Sequence, residues 1–382
     1  MKKAVCLLLT LILMFSLAAC GEKSRDYDVT LPEGKKAAII LTDENQYPED
    51  GIAAYDLIKE YKDNLLIFQC GDSREIKAGD PDIVLNSVKA AQNEDVAAII
   101  YDRATQFTDL AIAAAKEINP DLITITIEPE REQYEIDGIA DVEFVTNWPL
   151  YSQDIVDTAK EQGAEYFVFL SFPAHSEKGL YLPAKMNIEK YCEEQGIKFV
   201  YKETQDPSSS GGAAFARTSA ENAVAELYQT GEISGENVAL FSTDSSVQRT
   251  LVEQTDKRGL IYVAPPYPTA YNGICEYFAV DYPDDIANVG EYVESLKQAS
   301  AESGGRYSVI NFPYASSVLK AAIYTAFDMI NSPELRDDYY KYMDNAVERA
   351  LDAADDKNFT AQTLDGYFGV VLCYVPAIEI IK

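Results

Sequence analysis

One histidine, His175, serves all 382 residues. A Ser-His-Asp relay would have to use it. The chain also lacks a G-x-S-x-G nucleophile elbow and an H-E-x-x-H metal motif. Paired carboxylates of the glycosidase kind carry no signal where acidic residues are this common. An enzyme is therefore not expected, and a surface hydrolase stands only as a distant alternative. No Walker or G-x-G-x-x-G pattern is present. Basic residues are scarce, 32 against 63 acidic ones, for a formal net charge of −31. That balance disfavours non-specific binding to nucleic acid or to an anionic membrane surface, but it names no ligand. None of the six cysteines forms a C-x-x-C pair. Neither a metal nor a cofactor is expected.

What is present begins with the N-terminus. Lys2 and Lys3 precede an apolar stretch from Ala4 to Leu17, and Leu17-Ala18-Ala19-Cys20 closes it. Charge, apolar core and small residues make a secretory signal. The stretch is shorter than the ~20 apolar residues of a spanning helix. Residues 1–19 are expected to be the signal, and 20–34, polar and aperiodic, a flexible tether.

Hydrophobic content of 47% suffices for a sizeable core. From residue 35 a βα rhythm sets in. Apolar runs at 36–41, 65–69, 96–101, 122–127 and 142–145 read as strands, and amphipathic stretches between them read as helices. Asp80-Pro81 supplies an N-cap and a proline for the first helical position of one of them. Asn147-Trp148-Pro149, with the only tryptophan, interrupts the rhythm and marks a crossover. A second series follows. Its helices are expected over 150–162, 181–195, 214–229 and 245–257, and its strands at 166–172, 198–203, 238–242 and 260–264. Beyond Pro265-Pro266, strands are expected at 274–280 and 307–311, and helices over 286–302, 314–330 and 333–352. Residues 366–381 read as one or two edge strands. The fold class is α/β, with two lobes built on parallel sheets and joined by a hinge. The first lobe is expected over 35–147, completed by part of 286–352. The second is expected over 148–285, completed by part of 353–382.

In open α/β sheets ligands bind at the carboxyl ends of strands. In the first lobe those ends carry Thr42, Asp43, Gln46, Gln69, Asp72, Asp102, Arg103, Gln106 and Glu128. In the second they carry Ser171, Phe172, His175, Thr204, Gln205, Thr243 and Asp244, with Asn147 and Trp148 at the crossover. Carboxylates and amides can hold hydroxyls, and aromatic rings can stack on a sugar or base. Tyr267, Tyr271 and Tyr314 are further candidates for the cleft. Several have a plainer alternative: Asp43 and Asp244 as helix caps, Arg103 and Arg217 as partners of surface carboxylates. The run Ser208 to Gly212 before a helix is either an anion cradle or a flexible loop. Cys70, Cys192, Cys275 and Cys373 are expected to be buried free thiols, although export permits disulfides.

The small-small-Cys ending resembles the lipobox of bacterial lipoproteins, which implies that Cys20 is acylated and becomes the first residue. Together with K-A-A-I-I-L-T-D at 36–43, V-A-A-I-I-Y-D at 96–102, E-Y-F-V-F-L-S at 165–171 and S-T-D at 242–244, the chain resembles type I periplasmic solute-binding proteins, nearest the basic-membrane-lipoprotein and ribose-binding branches. The resemblance implies two Rossmann-like lobes closing on a small polar solute of the sugar or nucleoside class. It also implies presentation to an ABC-type permease, or alternatively to a membrane receptor, from the extracytoplasmic face of the membrane, with lipid on Cys20 and no nucleic-acid partner.

Overall fold

The computed structural model describes residues 31–382 apart from 43–47, 72–80, 106, 129–137, 178–180, 208, 210, 272, 284–285 and 287. Cys20, Asp43, Gln46, Asp72, Asp80 and Gln106 lie outside the described residues.

Strand β1 (Lys36–Leu41) is apolar and buried from Ala37 to Leu41 because both its faces are covered, as a central parallel strand requires. It pairs in parallel with β2 (Leu65–Gln69) on one side and β3 (Val96–Tyr101) on the other. Strands β4 (Ile123–Ile127) and β5 (Val142–Thr146) extend the sheet beyond β3. The second sheet repeats the plan. Its central β6 (Tyr166–Ser171) lies between β7 (Lys198–Glu203) and β8 (Val238–Ser242), followed by β9 (Ile261–Tyr262) and β10 (Arg306–Ile310). Late strands complete both sheets. β11 (Thr360–Thr363) and β12 (Val370–Tyr374) join the first, and β13 (Ile378–Ile380) runs antiparallel along β10 of the second. The orders are 11-12-5-4-3-1-2 and 13-10-9-8-6-7.

Helices α1 (Pro48–Glu60), α2 (Asp82–Ala91) and α3 (Thr108–Ile118) cover the first sheet. α4 (Trp148–Glu161), α5 (Tyr181–Gln195), α6 (Gly212–Thr230), α7 (Gln248–Arg258), α8 (Gly273–Phe278) and α9 (Val289–Ser300) belong to the second lobe. α10 (Tyr314–Asn331) returns to the first lobe, where it packs on α1 and on β3 and β4, and α11 (Tyr339–Ala354) packs on α10. Leu31–Lys382 form one compact unit.

The chain passes between the sheets at 146–148, 311–313 and 375–377, and hydrogen bonds hold these passages side by side. The Asn147 amide donates to the Cys373 carbonyl (2.8 Å) and the Asn311 amide to that of Ala377 (2.8 Å). The Tyr314 hydroxyl also donates to the Cys373 carbonyl, at 3.1 Å.

Three expectations need correction. Residues 274–280 form no strand: α8 occupies 273–278, and Ala279, at φ 55°, ends it as the Val280 amide turns back to the Cys275 carbonyl. A β-carbon on Gly273 would lie 2.3 Å from the Arg249 amide nitrogen, so the start of α8 is fixed by its contact with α7. The helix expected over 333–352 is broken: Pro333–Asp337 is a 3-10 turn, and Asp338 caps α11 by accepting from the Lys341 amide. Pro81 stands one residue earlier than expected, at the N-cap of α2.

Candidate functional site

Each sheet has one strand from which the order departs in both directions, β1 in the first and β6 in the second. Beside such a strand the helices on its two sides diverge, leaving a crevice at the carboxyl ends. The first crevice lies between β1 and β3, whose ends lead to Thr42 and Asp102. The second lies between β6 and β8, whose ends lead to Ser171 and Thr243.

At the first crevice, the Asp102 amide donates to the Ile40 carbonyl at 3.2 Å, which fixes the two strand ends in register. Thr42 is 6% exposed and Asp102 4%. Thr42 Oγ1 and Asp102 Oδ2 find no hydrogen-bond partner among the described residues. Around them stand Glu49 and Asp50 from the first turn of α1, Arg103, and Glu128 after β4, all buried. Arg103 Nε donates to Asp50 Oδ2 at 2.7 Å, Nη2 reaches Asp50 Oδ1 at 3.4 Å, and Nη2 lies 3.9 Å from Glu49 Oε1. Arg103 is thus committed to an internal ion pair rather than standing at the surface.

Four carboxyl groups share one guanidinium. Burial raises the pKa of Glu49 and Asp102 well above the ordinary carboxyl value, and the charge of Asp50 adds to both. Burial also pushes Glu128 up to about 7, against the lowering effect of its bond to Thr146. Glu128 Oε1 lies 2.6 Å from Thr146 Oγ1, which is 3.1 Å from the Tyr314 hydroxyl. Tyr314 gives its proton to the Cys373 carbonyl, so its oxygen can only accept, and the Thr146 hydroxyl stands between two acceptors, Glu128 Oε1 and the Tyr314 oxygen, with one hydrogen to donate. Glu128 also holds φ at 44°, a left-handed backbone that a non-glycine residue adopts at a cost.

At the second crevice, Ser171 Oγ lies 2.6 Å from Thr243 Oγ1, and His175 Nδ1 lies 3.2 Å from the same hydroxyl. The imidazole is sandwiched between Phe172 (4.1 Å between centroids) and Tyr181 (4.5 Å), and Tyr181 meets Trp148 edge-on at 5.0 Å. Desolvation lowers the His175 pKa to about 4 despite the nearby Asp206 charge, so the ring is neutral at physiological pH. Asp244 is a cap: its carboxylate accepts from the Ser246 amide (2.9 Å) and hydroxyl (2.8 Å). Asn147 caps α4 through the Leu150 amide at 3.4 Å.

The lobes meet through these strand-end groups. The loop after β9 brings Tyr267 over Arg103, with the guanidinium carbon 4.0 Å from the ring centroid, and Thr269 donates its hydroxyl to Glu49. Tyr267 also packs edge-on against Tyr314, at 5.5 Å.

Of the residues expected at the site, Thr42, Asp102, Arg103 and Glu128 gather at the first crevice and Ser171, Phe172, His175 and Thr243 at the second. Trp148 joins the aromatic group beside the second. Gln69 stands apart: its side chain is exposed, and its carbonyl holds Asn86 at 2.9 Å. Thr204 is buried at the end of β7, and the Gln205 side chain turns to Ser209. Arg217 donates to the Ser246 carbonyl, and Tyr271 to that of Ile286. Glu49, Asp50 and Thr269 were not anticipated. Acidic residues in a first helical turn look like ordinary partners of the helix dipole, and nothing in the sequence separates these two from that role.

A family model described as a protein of unknown function, DUF3798, matches residues 36–308. No curated protein matches the chain. Among solved structures, a proposed transcriptional regulator from Clostridium difficile 630 is similar over 92% of this chain and 100% of its own, with a TM-score of 0.67 at 14% identity. An ABC sugar transporter subunit from Rhodobacter sphaeroides 2.4.1 is similar over 78% of this chain and 92% of its own, with a TM-score of 0.50 at 12% identity. At these identities the likeness is one of fold: two α/β lobes of the type I periplasmic-binding-protein kind.

Proposed function

We propose that this chain, which belongs to the DUF3798 family, captures a small polar metabolite of the sugar or nucleoside class between its lobes. The observation that carries this reading is the pairing of two switch-point crevices, one rich in carboxyl groups and the other in hydroxyls and aromatic rings. The loop bearing Tyr267 and Thr269, from the second lobe, reaches the first crevice at Arg103 and Glu49. Polar groups of the first would hold a solute's hydroxyl and amine hydrogens, while rings of the second would cover its apolar face. The three adjoining passages between the sheets form the hinge about which the lobes close.

The leader and Cys20 support the remaining parts of the proposal. The chain is exported, held by lipid on Cys20 at the extracytoplasmic face, and delivers its solute to an ABC-type importer. Binding rather than catalysis is its task.

The test is a thermal-shift screen of the full chain, denatured and refolded to remove bound solute, against sugars, nucleosides, amino acids and small acids. A solute that binds only the folded state stabilises it by about 2.7 kcal/mol at a hundredfold excess over its Kd. A clear shift for one class, lost in Asp102→Asn, is expected. A shift that survives changes at both crevices contradicts the site. Cell fractionation of Cys20→Ser tests the anchor: release from the membrane is expected, and retention contradicts lipidation there.

A further inference from the structure

We infer that the solute presents a protonated amine to the first crevice, where Asp102 Oδ2 and Thr42 Oγ1 receive its N–H groups. This rests on the binding reading above and deepens it.

The observations are ones of placement. Asp102 Oδ2 and Thr42 Oγ1 are buried polar atoms with no hydrogen-bond partner among the described residues, at the ends of the two strands that define the crevice. A buried carboxyl group left in this condition costs free energy until a donor or a counter-charge reaches it, or until it takes up a proton. Arg103 does not supply that hydrogen bond, because its guanidinium is turned to Asp50 and Glu49. Thr42, whose hydroxyl can accept or donate, adds a buried polar group from the end of a separate strand. A neutral hydroxyl-bearing solute would offer hydrogens but leave the charge excess in place. A protonated amine supplies both N–H donors and the missing positive charge.

Asp102 is flanked by Glu49 and Asp50 from α1 and by Arg103 beside it, while Glu128 from the end of β4 and Tyr267 from the second lobe stand around Arg103. Tyr314 and Cys373 lie near Glu128, and Tyr282 near Glu49. Arg103 is the one cation in this set. With four carboxyl groups to one guanidinium, the crevice takes its balance from protons in the absence of solute. An arriving ammonium group replaces them, so uptake of the amine releases protons to solvent and strengthens as pH rises.

The experiment is isothermal titration of the refolded full chain with matched pairs: glucosamine and glucose, 5′-amino-5′-deoxyadenosine and adenosine, 1,4-butanediamine and 1,4-butanediol. Titrations at pH 6 and pH 8 are run in buffers of different ionisation enthalpy. One amine is expected to bind at least tenfold more tightly than its neutral partner, more tightly at pH 8 than at pH 6, and with proton release. Asp102→Asn should remove the preference. Thr42→Val, which keeps the side-chain shape, should weaken the amine severalfold without removing its preference, with urea unfolding used to verify that both variants fold. If a neutral member binds as well as its amine, or binds with proton uptake, the charge inference fails and solute capture stands. If no member of any pair binds, both fail.

Discussion

The guanidinium of Arg103, from the first lobe, lies 4.0 Å under the ring centroid of Tyr267, from the second. The same guanidinium is held by Asp50, so one side chain joins an ion pair within a lobe to a contact between lobes. The contact between lobes and the ion pair of the first crevice therefore share one group.

Replacing the ring tests the contact. A cation–π pair out of water is worth about 2 kcal/mol. Tyr267→Phe keeps the face and is expected to unfold in urea close to the parent midpoint. Tyr267→Leu is expected to lose about 1–2 kcal/mol. Equal behaviour of the two variants would show that the ring face contributes nothing.

Asp50→Asn addresses the ion pair. Removing one partner of a buried pair typically costs about 3–5 kcal/mol, because the other charge stays behind. Glu49 lies 3.9 Å from Arg103 Nη2 and softens the loss, so the lower end of that range is expected. Chemical denaturation checks it, and a loss below about 1 kcal/mol, the range of exposed pairs, would place the interaction in solvent.

The strand ends at this site were legible because buried parallel strands are short apolar runs whose ends are marked by polar residues, as in K-A-A-I-I-L followed by Thr42. The switch points were not. They depend on strand order, and order is set by which helix covers which face rather than by any local pattern. Residues 274–280 misled for a related reason: a short apolar run fits a buried strand or a buried helix, and the approach of Gly273 to α7 chose the helix. Tyr267 and Tyr314 stood out as aromatics in irregular stretches. Glu49 and Asp50, hidden in a first helical turn, did not.

Glu128 gives the stability a pH dependence of definite sign. Its pKa in the fold is about 7, above the ordinary carboxyl value of 4.5. The folded state then binds more protons than the unfolded one between those values, and stability falls as pH rises from 4.5 to 7. The loss is on the order of 3 kcal/mol for a shift of that size. His175 opposes it at the acid end. Its pKa, lowered to about 4 from 6.5, makes stability rise with pH between those values. Glu49 and Asp102, both raised, act in the sense of Glu128. Urea midpoints from pH 5 to 8 are expected to decline less for Glu128→Gln than for the parent. An unchanged slope would mean that Glu128 is ionised in the fold throughout.

Cys70, Cys192, Cys275 and Cys373 are free and buried, and burial pushes the Cys70 thiol up to about 11 and that of Cys192 to about 12. None should react with iodoacetamide at pH 8 while the chain is folded, and all four should react in denaturant without a reductant. A cysteine that reacts in denaturant only after reduction would reveal a disulfide.

Hydrogen–deuterium exchange with and without the solute found by screening tests capture between the lobes most directly. Slower exchange is expected in three segments at once: 102–105 after β3, 243–247 after β8, and 263–270 carrying Tyr267 and Thr269. Protection confined to one lobe, or absent from all three while the solute is bound, would contradict a site between the lobes.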